Sequence, residues 1–98
     1  MSEYPAVRQH RALCGNALKH AQHADYSAHR GAVNPAGEDL VEACRFYRDA
    51  YRLCRQWAAP EMQQCMPAVR DYIRTVAKRI RAARDLRGSM LAPLVHAV

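Results

Sequence analysis

Apolar residues recur at alternating intervals of three and four through most of this chain, which is the spacing of one face of an α-helix. The pattern is clearest between Leu40 and Ala58, where two neighbouring apolar stripes cover about half of the helix circumference. A stripe this wide is typical of a central helix that contacts two neighbours. The first stripe contains Leu40, Cys44, Tyr47, Tyr51, Cys54 and Ala58, and the second contains Ala43, Phe46, Ala50, Leu53 and Trp57.

Helix-boundary residues divide the chain into three predicted helices. Pro5 is suited to the first turn of a helix, whose apolar face continues with small residues to about His29. Asn34 and Pro35 are a good N-cap and a good first helical residue, and Pro60 ends the helix that they begin. The sequence therefore predicts an all-α fold, a small antiparallel three-helix bundle arranged up-down-up. The predicted helices are residues 6–29, 35–58 and 61 or 67–87.

The segment from Pro60 to Pro67 leaves two alternatives open. A continuous apolar stripe favours one long helix that starts near Pro60. A proline inside a helix, however, removes a hydrogen bond and clashes with the preceding turn, at a cost of about 3 kcal/mol. We expect either a kink at Pro67 or a short extra helix before it, and we favour two pieces. The stripe consists of Met62, Met66, Val69, Ile73, Val76, Ile80 and Ala83.

The 98 residues are interpreted as a single helical domain, 1–98, that ends in an apolar C-terminal tail, 88–98. Gly88 is expected to end the third helix, and Pro93 disfavours its continuation. The tail holds no Lys, Arg, Asp or Glu. It is expected to fold back over the bundle; the alternative is an apolar patch for another protein or for a homodimer.

The charge of the chain is concentrated in its second half. Residues 1–44 contain four Lys or Arg and five acidic residues, whereas residues 45–87 contain eleven Lys or Arg and four acidic residues. A localised basic field is suited to a phosphate backbone, another polyanion or an acidic protein surface. The alternative is an arginine-rich composition that forms an ordinary solvated face.

Two rows of basic side chains account for this excess. Residues three or four apart lie on one face of a helix, and an arginine fork binds phosphate or carboxylate through two hydrogen bonds. Whether the two rows line one groove depends on the rotation of each helix, which the sequence does not determine. The predicted binding residues are Arg45, Arg48, Arg52 and Arg55 on the second helix and Arg70, Arg74, Lys78 and Arg81 on the third.

The motifs of catalytic sites are missing from the sequence. It has no Gly-rich phosphate loop, no HExxH, no nucleophile elbow and no serine or threonine beside a convincing base. We therefore expect a binding protein or regulator, not an enzyme, with no catalytic residue and no cofactor. The expected partner is nucleic acid, contacted through its phosphates with little sequence preference. The alternative is a protein–protein adaptor or inhibitor, for example of phage or plasmid origin, that uses the Arg face and the apolar tail.

The sequence predicts a cytoplasmic protein that does not enter a membrane. No apolar segment follows the N-terminal charges, and the longest uncharged apolar stretch, Met90 to Val98, is too short to span a bilayer. Cysteines in that compartment are expected to be reduced.

Four cysteines and a histidine pair are the remaining candidates for chemistry. If the second and third helices form a hairpin, Cys54 lies opposite Cys65, and Cys14 lies within one turn of Cys54. Three thiols in one layer suit a soft metal ion or a disulfide, but we expect buried reduced thiols and no metal site. His20 and His23 are interpreted as surface residues.

Overall fold

The computed structural model describes residues 4–96, and their side chains from 4 to 86. Three α-helices contain nearly all of these residues: α1 is Pro5–His29, α2 is Val33–Trp57 and α3 is Pro60–His96. No strand occurs within residues 4–96. Each helix packs against both of the others, so the predicted all-α three-helix bundle is confirmed.

Contacts between helices give the direction of each one. His10 of α1 lies against Met66 of α3, and Asp25 lies against Arg79, so α1 and α3 are parallel with an offset of 56 and 54 residues at these two contacts. Short turns join α2 to both of them, and α2 therefore runs antiparallel. The molecule is elongated, with dimensions of 68, 17 and 15 Å.

The buried face of α1 consists mainly of small residues, as the sequence predicts. Small side chains let neighbouring helix axes approach closely, near the lower end of the usual 8–10 Å. Each alanine also removes little apolar surface from water, so close packing is the main contribution of this face. Its buried residues are Ala6, His10, Cys14, Ala17, Ala21, Ala24 and Ala28.

Helix α2 begins two residues before the predicted Pro35, and the prediction of Asn34 as its N-cap is wrong. The chain turns at Gly31, whose φ of 77° is a left-handed conformation that glycine adopts without strain. Ala32 is the N-cap and makes no side-chain cap bond, while Val33 is buried in a cluster with residues of α1 and α3. Full burial of a valine contributes about 1.5–3 kcal/mol, against about 1 kcal/mol for a side-chain cap.

The other end of α2 lies within one residue of its predicted position. Ala58 adopts a left-handed conformation, and its N–H donates to the carbonyl of Cys54 at 2.8 Å. Trp57 was expected on an apolar stripe, but its side chain is 55% exposed. It is the last helical residue and lies beside Tyr4 at the end of the bundle, where other helices cover only part of the ring.

Helix α3 passes through Pro67 without a break, so the prediction of two pieces is wrong. Pro67 lies on the exposed face, where water can bind the carbonyl of Gln63 that loses its partner. On the opposite face, Met62 is 1% exposed and Met66 is 6% exposed. Burying two such side chains contributes about 3–6 kcal/mol, which exceeds the cost of about 3 kcal/mol for the proline.

Helix α3 also continues to His96, so the prediction that Gly88 ends it, and that Pro93 prevents its continuation, is wrong. Glycine inside a helix costs only about 1 kcal/mol, and the neighbouring Met90, Leu91 and Ala92 are strong helix formers. With 37 residues against 25 in each of the other helices, α3 is the longest element. The predicted packing of the tail, 88–98, lies outside the described side chains.

The core follows the predicted stripes of α2 and α3 closely. Ile73 is buried, and Leu40, Tyr47 and Leu53 are half-buried against the core. Every residue of the predicted α3 stripe is buried except Ala83, which is half-buried. Within the part of the chain that the structure describes, no helix has an apolar stretch long enough to cross a membrane.

Candidate functional site

The four predicted arginines of α2, Arg45, Arg48, Arg52 and Arg55, are all exposed to solvent. Arg45 lies 3.3 Å from Glu42, and Arg52 lies 3.8 Å from Asp49. Exposed ion pairs of this kind contribute about 0–1 kcal/mol. The two acidic residues therefore hold the arginines only weakly.

The other two arginines of this row make no ion pair with a described residue. The guanidinium of Arg55 lies over the ring of Tyr51, 6.0 Å from its centre. Tyr51 in turn stacks near Tyr47, with ring centres 6.4 Å apart. Arg48 has neither an ion pair nor a ring contact among the described residues, so its full donor capacity faces water.

Contacts with His20 identify which side of α2 faces α1. Its imidazole stacks on Phe46 with ring centres 5.4 Å apart and donates to the carboxylate of Asp39 at 3.3 Å. The interpretation of His20 as a surface residue is therefore only half right, since it is half-buried between two helices. At 100° per residue, Arg48 and Arg55 project from roughly the opposite side of α2 to Phe46. The Arg row thus lies away from α1.

The orientation of α3 follows from two contacts with α1. Cys65 lies against Cys14, and Arg79 donates to the carboxylate of Asp25 at 2.7 Å. The second predicted row projects from roughly the opposite side of α3. Within it Arg70 is half-buried and lies 3.2 Å from Asp71, and the others are exposed. This second row is Arg70, Arg74, Lys78 and Arg81.

Both basic rows therefore border the same side of the bundle, the side formed by α2 and α3. Arg84 of α3 lies beside Glu38 of α2, and Met62 lies beside Trp57. In this antiparallel register, Arg70 is level with the middle of the α2 row and Arg74 with its Arg45 end, while Lys78 and Arg81 lie beyond that end. We call the eight basic residues of the two rows the Arg face.

A shallow apolar groove of about 340 Å³ adjoins the Arg face. Its lining includes Leu40, Val41 and Cys44, with Arg45 and Arg48 at its polar edge. The side chain of Val41 is 60% exposed, although it is an aliphatic residue in the middle of a helix. This groove is an apolar surface directly beside two of the predicted binding residues.

A second cluster lies between α1 and α3 and joins a histidine to two cysteines. Three distances connect its donor atoms: His10 Nδ1 to Cys14 Sγ at 3.8 Å, His10 Nδ1 to Cys65 Sγ at 3.9 Å, and the two sulfur atoms at 3.9 Å. His10 Nε2 lies 3.2 Å from the thioether of Met66. Among the described residues, this is the one group of three side chains whose ligand atoms lie close enough to share a metal ion.

Burial shifts the pKa values of two groups in this cluster. The pKa of the Cys14 thiol is raised to about 12, mainly by burial and in addition by the nearby Cys65 and Cys54. Burial also lowers the pKa of His10, whose imidazole is only 2% exposed. Both shifts favour the neutral forms of Cys14 and His10.

Cys54 was predicted to lie opposite Cys65, but the structure makes a different contact. Cys65 instead contacts Cys14, because α3 presents Cys65 on the flank that faces α1. Cys54 and Cys14 belong to the same buried cluster, against which Cys65 packs, so the three thiols of the predicted layer share one part of the core. All four cysteines are free.

The sequence did contain a signal for His10 that its interpretation missed. His10 and Cys14 are four residues apart on the buried face of α1, and are therefore neighbours on that helix. The third member, Cys65, is distant in sequence and joins them only through the packing of α3. His20 and His23 were considered as the candidate pair instead, because they are close in sequence.

Comparison with known proteins assigns no function to either cluster. No protein-family model, curated protein or solved structure matches the chain significantly.

Proposed function

We propose that this protein is a small helical nucleic-acid-binding regulator that contacts phosphates through the Arg face. The observation that carries the proposal is the exposed row of Arg45, Arg48, Arg52 and Arg55. Helical projection directs the second row to the same side of the bundle. A cytoplasmic location, where nucleic acid is accessible, is part of the proposal.

The length of the α2 row suits a nucleic-acid backbone. Arg45 and Arg55 are separated by ten residues, or about 15 Å along the helix axis. Duplex DNA advances about four base pairs over that length of its axis, at roughly 3.4 Å each, so the row can reach more than one phosphate where it crosses a backbone. Each guanidinium can bind phosphate through two parallel hydrogen bonds, a geometry that lysine does not offer.

Few existing interactions of the α2 arginines have to be broken before this surface binds a phosphate. The ion pairs of Arg45 and Arg52 are exposed and weak, and Arg48 has no ion pair among the described residues. The acidic residues Glu42 and Asp49 lie one turn on either side of Phe46, towards α1. The two signs of charge on α2 are therefore partly separated.

The expected binding is electrostatic and has little sequence specificity. Contacts to phosphate position a protein on nucleic acid but do not identify bases. The logarithm of the binding constant should fall linearly with the logarithm of salt concentration, with a slope of about −0.9 for each duplex phosphate that is neutralised.

The decisive experiment is a salt titration of binding to mixed-sequence DNA and RNA. Replacing Arg48 and Arg52 together by Glu should abolish binding at moderate salt, or reduce the steepness of the salt dependence by about 1.8 for duplex DNA. The melting temperature should remain nearly unchanged, because both residues are exposed.

The matched control replaces Arg8 and Lys19 by Glu. Both residues are exposed on α1 and away from the Arg face, and the change in net charge is the same. This control should retain most of the affinity. Equal losses of affinity in the two double variants would show that the effect depends only on net charge. Unchanged binding of the Arg48→Glu/Arg52→Glu protein would contradict the proposal.

The groove beside the Arg face favours a second candidate function, an adaptor or inhibitor that binds an acidic protein surface. An exposed valine next to two arginines is suited to a protein interface, where aliphatic and arginine contacts combine. Replacing Val41 by Ser should then weaken binding to the protein partner and leave nucleic-acid binding unaffected. A homodimer through the apolar tail is a further proposal, which sedimentation of the full chain and of a chain ending at residue 87 would test.

A further inference from the structure

We propose that His10, Cys14 and Cys65 form a binding site for one Zn(II) ion between α1 and α3. The sequence alone favoured no metal site, and the soft-metal alternative that it suggested used three cysteines. The structure replaces Cys54 by His10 in that set, because these three side chains bring their donor atoms together.

The three donor atoms form a nearly equilateral triangle. Its sides are 3.8 Å from His10 to Cys14, 3.9 Å from His10 to Cys65 and 3.9 Å between the sulfur atoms. Tetrahedral angles between a Zn–N bond of about 2.0–2.1 Å and Zn–S bonds of about 2.3 Å would place the donor atoms about 3.5–3.8 Å apart, slightly closer than they lie here. An ion therefore fits with little movement of either helix.

Met66 supplies the support that a histidine ligand requires. Its thioether lies 3.2 Å from His10 Nε2, where it accepts the N–H of that nitrogen. This contact favours the tautomer in which Nδ1 is unprotonated. Because Cys14 Sγ lies 3.8 Å from both ring nitrogens, the imidazole has to turn to direct the Nδ1 lone pair at an ion between the two thiols. A partner on the second ring nitrogen is the usual way in which proteins fix the orientation of a metal-binding histidine.

The charge of the site favours a divalent ion. On binding, two Zn–S bonds and one Zn–N bond form, and the two thiol protons leave to solvent. Two thiolates and one Zn(II) ion together are neutral, which suits a place where Cys14 and His10 are buried. Cysteine and histidine are the ligands that zinc prefers, in sets that include two cysteines and one histidine.

A pocket provides both access to the site and a fourth coordination position. It has a volume of about 330 Å³ and is lined by all three proposed ligands, with Glu61 at its edge. A water molecule in this pocket can complete a tetrahedral site, as in zinc centres that have three protein ligands. The site is distinct from the Arg face, so either proposal can fail without the other.

Titration of the reduced full-length protein with Co(II), then with Zn(II), tests the proposal. Co(II) should bind with one equivalent and give a thiolate-to-cobalt charge-transfer band together with intense visible bands of tetrahedral cobalt. One equivalent of Zn(II) should remove both signals. Absence of the charge-transfer band, or binding of Cu(I) without binding of Zn(II) or Co(II), would overturn the assignment.

Variants identify the ligands. Cys65→Ser and His10→Gln should each weaken Zn(II) binding at least tenfold, whereas Cys44→Ser should leave it unchanged. Cys44 is the matched control because it is half-buried like Cys65 but lies on α2, outside the triangle. Circular dichroism verifies that each variant is helical. Unweakened Zn(II) binding by a folded Cys65→Ser protein would overturn the proposal.

A measurement on the unaltered protein covers the case in which a variant fails to fold. Alkylation of each cysteine by iodoacetamide is followed by mass spectrometry with and without one equivalent of Zn(II). Zn(II) should slow the modification of Cys65 at least tenfold and leave that of Cys44 unaffected. Equal protection of both, or protection of neither, would show that Zn(II) does not bind at the triangle.

Discussion

At the scale of single residues, His10 has the most unusual environment in the described chain. It is the one polar residue among the buried side chains described, and it contacts two thiols and a thioether. These groups are weak hydrogen-bond partners. An imidazole among them is stable while it is neutral, and its protonated form has lost water without gaining a strong acceptor.

This environment predicts a loss of stability in mild acid. Burial lowers the pKa of His10 in the folded protein below the 6.5 of an exposed histidine. The unfolded chain therefore binds this proton more readily, and the contribution of His10 is complete above pH 6.5 and lost as the pH falls through the folded pKa. Urea unfolding well above and well below pH 6.5, with a chelator present, should show a smaller decrease in His10→Gln than in the unaltered protein. Equal decreases would show that other groups, common to both proteins, cause the loss.

At the scale of elements, the helices form wherever burial outweighs local preference. Pro67 stays within α3 because Met62 and Met66 are buried on the opposite face. Val33 begins α2 without a side-chain cap because its own side chain enters the core. Local signals remain decisive where no burial opposes them, as at Pro60, which disfavours helical geometry in the residue before it and ends α2 near the predicted position.

Two glycines give a matched test of how local backbone conformation affects stability. Gly15 lies in the exposed part of α1, and an added Cβ would meet no atom within 4 Å. Gly15→Ala should therefore stabilise the protein by about 0.5–1 kcal/mol. Gly31 has the same space but a φ of 77°, so Gly31→Ala should be destabilising. Urea unfolding measures both, and equal effects of the two substitutions would contradict this account.

At the scale of the whole molecule, alanines set the distances between helices. Residues 17, 21, 24, 36, 43 and 50 are all alanines with no exposed surface, and they lie on α1 and α2. This interface leaves no room for longer side chains, since protein interiors are packed as densely as organic crystals. The larger side chains of α3 cover the remaining side of the same core.

Enlarging one of these alanines should move the helices apart. Ala21→Leu should lower the free energy of unfolding by about 1–3 kcal/mol or more, because the added atoms find no cavity. Ala12→Leu, at an exposed position of the same helix, should change it by less than about 0.5 kcal/mol. Thermal unfolding compares the two, and a tolerated Ala21→Leu would show that the interface is looser than the structure indicates.

The sequence by itself determined the class of fold, the number of helices and most of the inward-facing residues. The spacing of apolar residues sufficed for this, since it depends only on helix geometry and on the burial of one face. The exposure of Arg45, Arg48, Arg52 and Arg55 followed from the same periodicity. Their role as a binding site remains a proposal.

Only the tertiary structure decided the features that depend on contacts between distant residues. The rotation of α2 and α3 brings the two basic rows to one side, and the parallel register of α1 and α3 joins His10 and Cys14 to Cys65. Local preference also failed to predict the helix at Pro67. There, the free energy gained by burying a whole apolar face exceeds the free-energy cost of one proline. Periodicity specifies the buried face of each helix, whereas its neighbours and axial offset are set by side-chain packing across the core.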